Sequence, residues 1–177
     1  MQGWGAPKLA GAIAAAILLA GLLVSCGPSG ESVKRSSILT GDADTTTARL
    51  LLVSSSTGAD GGFNFDGYGD GGMRISIPVG WQVDVTCKNA STTLSHSCAI
   101  VEDLPLSPNG APLAFAGSGT PAPTGGVQPG VSKSFSFVAA RVGTYRIACL
   151  VSGHEIDGMW DWLTVTPAGA PHVTIRR

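Results

Sequence analysis

At 177 residues the chain is long enough for one domain with its own core plus short accessory segments. Its 11 Lys and Arg against 12 Asp and Glu give a net charge of −1. With no basic stripe to neutralise phosphates, this argues against a nucleic-acid partner. The 25 Gly and 11 Pro, scattered among many Val, Ile, Thr and Ser, predict short strands separated by turns.

The N-terminus reads as an export signal. Lys8 gives it a positive start, and Leu9 to Val24 is an Ala- and Leu-rich apolar run, short for a membrane span. The run ends in Leu23-Val24-Ser25-Cys26, which resembles a bacterial lipobox. Residues 1–25 are therefore expected to be a lipoprotein signal peptide, with Cys26 as the lipidated residue. An ordinary secretory signal with an incidental cysteine, or a single anchoring helix, are the alternatives. From residue 26 to 46 the chain is rich in Ser, Gly, Thr and charge, too poor in apolar residues to pack. It is expected to be a flexible tether, with a reach of roughly 25 Å for about 20 residues.

A domain is expected over residues 47–167, followed by a C-terminal tail, 168–177. Strands begin near Ala48 with A-R-L-L-L-V-S-S, and Asp60-Gly61-Gly62 is a turn. Met73, Ile75 and Ile77 alternate on one face, as do Trp81, Val83, Val85 and Cys87 after a turn at Pro78 and Gly80. Leu94 to Val101 is expected to be the next strand. The Pro- and Gly-rich stretch 103–130 is long for a loop inside a compact domain, which marks it as functional or decorative rather than disordered. Val131 to Val138, Gly143 to Cys149 and Trp160 to Thr166 complete seven or eight short strands. The reading is an all-β, antiparallel Greek-key sandwich.

Between the last two strands, Cys149, His154 and Met159 recur as C-x4-H-x4-M. A thiolate, an imidazole and a thioether on one short loop form a soft, mixed donor set. Such a set suits copper in a trigonal His2Cys site with a weak axial Met, given a second histidine from elsewhere. Of the three His in the chain, His96 lies in the apolar run L-S-H-S-C-A-I-V and His172 in the tail. Zinc is a poorer fit, because Met is a poor zinc ligand.

Several segments together carry a resemblance: F-N-F-D-G-Y (63–68), M-R-I-S-I-P-V-G-W-Q-V-D-V (73–85), S-H-S-C-A-I-V (95–101) and the Cys149–Met159 loop, with Gly153 before His154 and Gly158-Met159-Trp160 at its end. Over roughly Thr47 to Thr166 the chain resembles the cupredoxin family and, within it, the sulfocyanin-like proteins. The resemblance implies one mononuclear type 1 copper held by His96, Cys149, His154 and Met159. Multicopper oxidases resemble this domain but need His on both sides of the copper Cys, where this chain has Ala148 and Leu150. Binuclear copper sites need a second Cys in the loop. One departure concerns the outer shell: many cupredoxins follow the first His with Asn, and here Ser97 stands there. Trp160 and Trp162 either fill core or shield the site.

The cysteines then divide by role. If Cys26 is acylated and Cys149 binds metal, Cys87 and Cys98 remain, and in an exported protein they are expected to pair as a disulfide. Two buried free thiols are the alternative. The functional expectation is a lipid-anchored, monomeric blue-copper protein on the extracytoplasmic face of a bacterial membrane. It would carry single electrons between redox proteins, such as membrane oxidoreductases or a terminal oxidase, and would not be an enzyme. A copper delivery or storage module and a metal-free adhesive sandwich are the competing readings.

Overall fold

The computed structural model describes residues 1–4 and 35–176; Cys26, residues 5–25 of the expected signal segment and the first part of the tether fall outside them. Alternation builds the fold. In the strand Gln82–Asn89 (β4) Val83, Val85 and Cys87 are buried while Thr86 and Lys88 are exposed, as a half-buried strand requires. The same period buries Met73, Ile75 and Ile77 of β3 (Met73–Pro78), Ala48, Leu50 and Leu52 of β2 (Thr47–Ser54), and Leu163 and Val165 of β8 (Trp160–Thr166). Each fully buried aliphatic side chain contributes about 1.5–3 kcal/mol.

These strands form two sheets. One runs β1 (Leu39–Asp42), β2, β4 and β6 (Ser132–Val138). The other runs β5 (Ala99–Glu102), β7 (Gly143–Ala148), β8, β3 and β9 (His172–Ile175). Inner faces of both contribute to one apolar core. The all-β sandwich is the one expected, with two refinements in its wiring. The β2–β4 and β3–β8 pairs are parallel, while the other named pairs are antiparallel. Turn signals between neighbouring strands cannot reveal such pairings, because the partners are distant in sequence.

The sandwich also reaches further along the chain at both ends than composition indicated. Leu39–Asp42, inside the expected tether, pairs with β2, and Ile38 and Leu39 are buried. Two apolar residues are enough to dock an edge strand, and averaging over a polar segment hides them. In the expected tail, His172–Ile175 pairs with β3, with Val173 and Ile175 half-buried against the core.

Cys87 and Cys98 form the expected disulfide, with a Cα–Cα distance of 5.8 Å. They do not sit on neighbouring antiparallel strands. Cys87 is in β4 of one sheet, and Cys98 immediately precedes β5 of the other, so the bond ties the sheets together. The strand expected over 94–101 is shorter, starting at Ala99. Ahead of it His96 makes only an isolated bridge to Val127. The 103–130 stretch supplies that bridge and two more, Ala99 to Gly119 and Val101 to Leu113. It lies along β5 as an irregular edge.

Candidate metal centre

The centre is built by two segments held in different ways. His96 is fully buried. Its N–H donates to Val127 O at 3.1 Å and its carbonyl accepts from Val127 N–H. Asn89, also buried, donates its side-chain amide to the same Val127 carbonyl and to Leu94 O, both at 2.8 Å. Gly126 permits this close approach: its φ is +73°, and a Cβ there would lie 2.9 Å from a Val151 methyl and 3.2 Å from His96 N. The long loop thus clamps the first histidine from outside.

The second segment is the loop from Cys149 to Met159. The Cys149 N–H donates to Met159 O at 3.2 Å, closing the loop at its neck, and Met159 N–H donates to His154 O at 2.9 Å. Gly153 and Gly158 adopt φ of +89° and +94°, the left-handed conformations that turns of this tightness need. Gly153 N–H also donates to Pro108 O at 3.0 Å, so the long loop touches this segment too.

The two segments bring the four sequence-predicted donors together. Cys149 Sγ and one nitrogen from each of His96 and His154 all lie within 4.8 Å of one another. His154 Nδ1 is 3.3 Å from Cys149 Sγ, and Met159 Sδ is 3.1 Å from His96 Nδ1. Cys149 and Met159 are fully buried, and His154 is 9% exposed. His172 stays apart, exposed on β9 with its Nδ1 beside Ala170 O.

Burial sets the protonation of this cluster. It pushes His96 down to about 4, helped by the proximity of His154, and lowers His154 as well. Both imidazoles are therefore neutral at pH 7, the form that ligates metal. Burial raises the Cys149 thiol, against the pull of N–H groups of Ser97 and Val151. A buried thiolate needs a nearby cation, and the two neutral imidazoles do not provide one. A soft cation supplies that charge. The donor set of two imidazoles, one thiol and one thioether fits copper better than any other common metal.

Ser97, standing where many cupredoxins have Asn, ties the first-histidine segment to the ligand loop. Its hydroxyl accepts from Leu150 N–H at 2.8 Å, and its backbone N–H points at Cys149 Sγ from 3.2 Å. A family profile of the Sulfocyanin (SoxE) domain matches residues 35–175. The chain belongs to the sulfocyanin family.

No curated protein matches the chain. Among solved structures, rusticyanin from Thiobacillus ferrooxidans is 22% identical, with 73% of this chain and 88% of that one covered and a TM-score of 0.52. Auracyanin A from Chloroflexus aurantiacus, described as a "blue" copper protein, is 19% identical over 68% and 99% of the two chains, with a TM-score of 0.50. At these identities the likeness shows the cupredoxin fold. The family and the donor cluster make this sulfocyanin a cupredoxin-like blue-copper electron-transfer protein whose site suits one type 1 copper.

Three further groups around the centre of this sulfocyanin were not singled out from sequence. The Phe63 ring stands edge-on to His154 with centroids 4.9 Å apart. Buried Asn64 fixes its loop, donating to Thr57 O and Ala59 O and accepting from Gly67 N–H. Arg146 and Glu155 form an ion pair at 2.9 Å with side chains 4% and 2% exposed, and Asp103 adds a second carboxylate at 2.9 Å. The pair joins β7 to the residue after His154. Its signal in sequence was the presence of charge inside two otherwise apolar runs, Y-R-I-A-C and H-E-I. Trp160 and Trp162 lie partly buried on the outer face of β8, outside the main core.

Proposed function

We propose that this protein is a membrane-anchored carrier of single electrons outside the cytoplasm, with His96, Cys149, His154 and Met159 as the ligands of its one copper. The observation that carries this reading is the convergence of those four donors in one buried cluster. When bound, copper supplies a reversible one-electron couple. The protein's part is to hold the three strong donors in one arrangement suited to both oxidation states, with the thioether of Met159 as a weak fourth. His96 is held by backbone bonds on a bridge, and Cys149 by the closed neck of its loop, so little reorganisation accompanies a change of charge. Electrons would pass through the edge of His154, the least buried of the four, beside exposed Ile156 and the ring of Phe63. No helix of the described residues is long and apolar enough to cross a membrane. Anchoring rests on the lipobox-like Leu23–Cys26 segment, and the partners are redox proteins docking at the His154 edge.

Copper titration of the metal-free protein tests the reading. One equivalent of Cu(II) should give an intense visible band that a mild reductant bleaches, and Cys149→Ser should leave a colourless adduct. A colourless wild-type adduct sinks the proposal. Copper that passes within seconds to a modest chelator would favour delivery or storage instead. Labelling with a fatty-acid analogue should mark the wild type and not Cys26→Ala.

A further inference from the structure

A second route leads out of the centre. Trp160 follows Met159 directly, and Cys149 N–H is hydrogen-bonded to the Met159 carbonyl at 3.2 Å, the carbonyl of the peptide that joins Met159 to Trp160. From there the Trp160 ring meets Trp162 edge-on, with centroids 5.0 Å apart at 84°. Both rings stand on the outer face of β8, since Asp161 and Leu163 between and beyond them are fully buried. Gly71 closes over the pair: a Cβ there would be 2.5 Å from Trp162 Nε1 and 2.9 Å from the Trp160 ring. A continuous path of covalent bonds, one hydrogen bond and packed rings thus joins the Cys149 backbone to the surface of the five-stranded sheet.

Two arginines, Arg74 and Arg176, stand on that surface. Trp162 lies in register with Arg74 on β3, whose guanidinium carbon sits 5.1 Å from the ring centroid. Gly71, Gly72, Arg74, Trp162, Thr174 and Arg176 line a cleft of about 290 Å³. Arg74 bonds Thr164 Oγ1 and Arg176 bonds Asp70 O; neither forms an ion pair within the described residues. The outward positions of β3, β8 and β9 carry Arg74 and His172 and no carboxylate, because Asp161 of β8 points inward. Asp70, next to Gly71 of the cleft, has its carboxyl against Gly158 on the ligand-loop side. In a chain of net charge −1, this is a local excess of cations around an accessible indole.

We propose that this face is a second electron-exchange surface, taking the acidic surface of a redox protein, with Trp160 and Trp162 as the conduit to the ligand loop. It rests on the electron-carrier reading and adds a port distinct from the His154 edge. A carrier with two ports can hold donor and acceptor on different faces, so neither must leave before the other docks. One electron leaves the reduced protein and one acceptor is reduced by it; no bond forms or breaks and no proton moves. The paired rings act as a packed medium for that transfer, and unpaired guanidiniums select a negatively charged partner by steering it.

Hexacyanoferrate(III) serves as an anionic acceptor in stopped-flow oxidation of the reduced, copper-loaded protein. Arg74→Gln should slow the reaction about threefold or more at low salt and lose that difference at high salt. Trp162→Leu should slow it at both. Electron self-exchange and the visible spectrum should stay as in the wild type for both variants. Independently of copper, iodide should quench the tryptophan fluorescence of the metal-free protein more than caesium does, and Arg74→Gln should abolish that preference. Wild-type oxidation rates in either variant, or equal quenching by iodide and caesium, overturn the proposal. A wild-type protein with no reversible blue band overturns the carrier reading instead.

Discussion

The two histidines of the centre sit 4.9 Å apart by ring centroid, yet the protein treats them differently. His96 is fully enclosed, clamped through its own backbone by Val127, with Asn89 and Gly126 behind that contact and the Cys87–Cys98 disulfide two residues on. His154 hangs on a glycine-flanked turn of a short loop with the Phe63 ring edge-on beside it, and is the least buried of the four donors. Geometry is fixed from one side and contact with the outside is made from the other. A carrier needs both, because a site rigid all round has no exit and a site open all round reorganises with each change of charge.

The largest test of this contrast removes each ring. His96→Gly and His154→Gly should each abolish the visible band of the copper-loaded protein. Added imidazole should restore it only in His154→Gly, where the vacated space opens toward solvent. Rescue of both variants, read by absorbance during an imidazole titration, would erase the distinction.

A smaller effect is expected when the clamp is loosened. Replacing Cys87 and Cys98 together by Ala opens a loop with a sequence separation of 11 and should cost about 3 kcal/mol of stability. Copper affinity should fall with it, since Cys98 anchors the segment that carries His96. Chemical denaturation of the metal-free form and a competitive copper titration read the two effects separately.

Ser97 lies between the two regions, and its loss should be felt by the thiolate more than by the fold. Ser97→Ala leaves the Leu150 N–H without its partner, at about 1–2 kcal/mol. It also removes the hydroxyl 3.7 Å from Cys149 Sγ and should lower the reduction potential, because a cysteine sulfur with fewer polar neighbours donates more strongly to the oxidised metal. An unchanged potential by voltammetry would show that the hydroxyl serves the loop backbone alone.

The mildest expectation concerns pH. Burial pushes Asp66 up to about 7 and Asp161 to about 8, from an ordinary 3.8. Between those values and 3.8 the folded protein holds protons that the unfolded chain has released. Stability from these groups is therefore present at low pH and lost as pH rises through about 7 to 8. The buried histidines act in the opposite sense below their ordinary 6.5, so the decline should show cleanly only above that. The melting temperature of the metal-free protein should fall by several degrees from pH 6.5 to 8.5. Asp161→Asn keeps an oxygen to accept the Met73 N–H, now at 2.7 Å, and should flatten the curve. A decline of the same size in that variant would place the effect elsewhere.

Much of this was open to reading in the chain because the deciding patterns are local. The alternation of Met73, Ile75 and Ile77 follows from the two-residue period of a strand, and the spacing of Cys149, His154 and Met159 puts three soft donors on one turn whatever surrounds it. The pairing of Cys87 with Cys98 was expected from the cysteine chemistry, and that bond formed. What sequence did not carry was anything that depends on which distant strands become neighbours. The parallel β2–β4 and β3–β8 pairs, the docking of Leu39–Asp42 and His172–Ile175 at sheet edges, and the placing of the disulfide between sheets all belong to that class. So does the function of the 103–130 loop, whose Gly126 and Val127 have no local signal of their own. Only when the fold carries them past His96 do they acquire a backbone to bond and a space that a side chain would fill. Local periodicity and donor chemistry determined that there is a sandwich and a soft-metal site. Tertiary contact alone decided which histidine is locked in, which faces out, and where the indoles of β8 meet the surface.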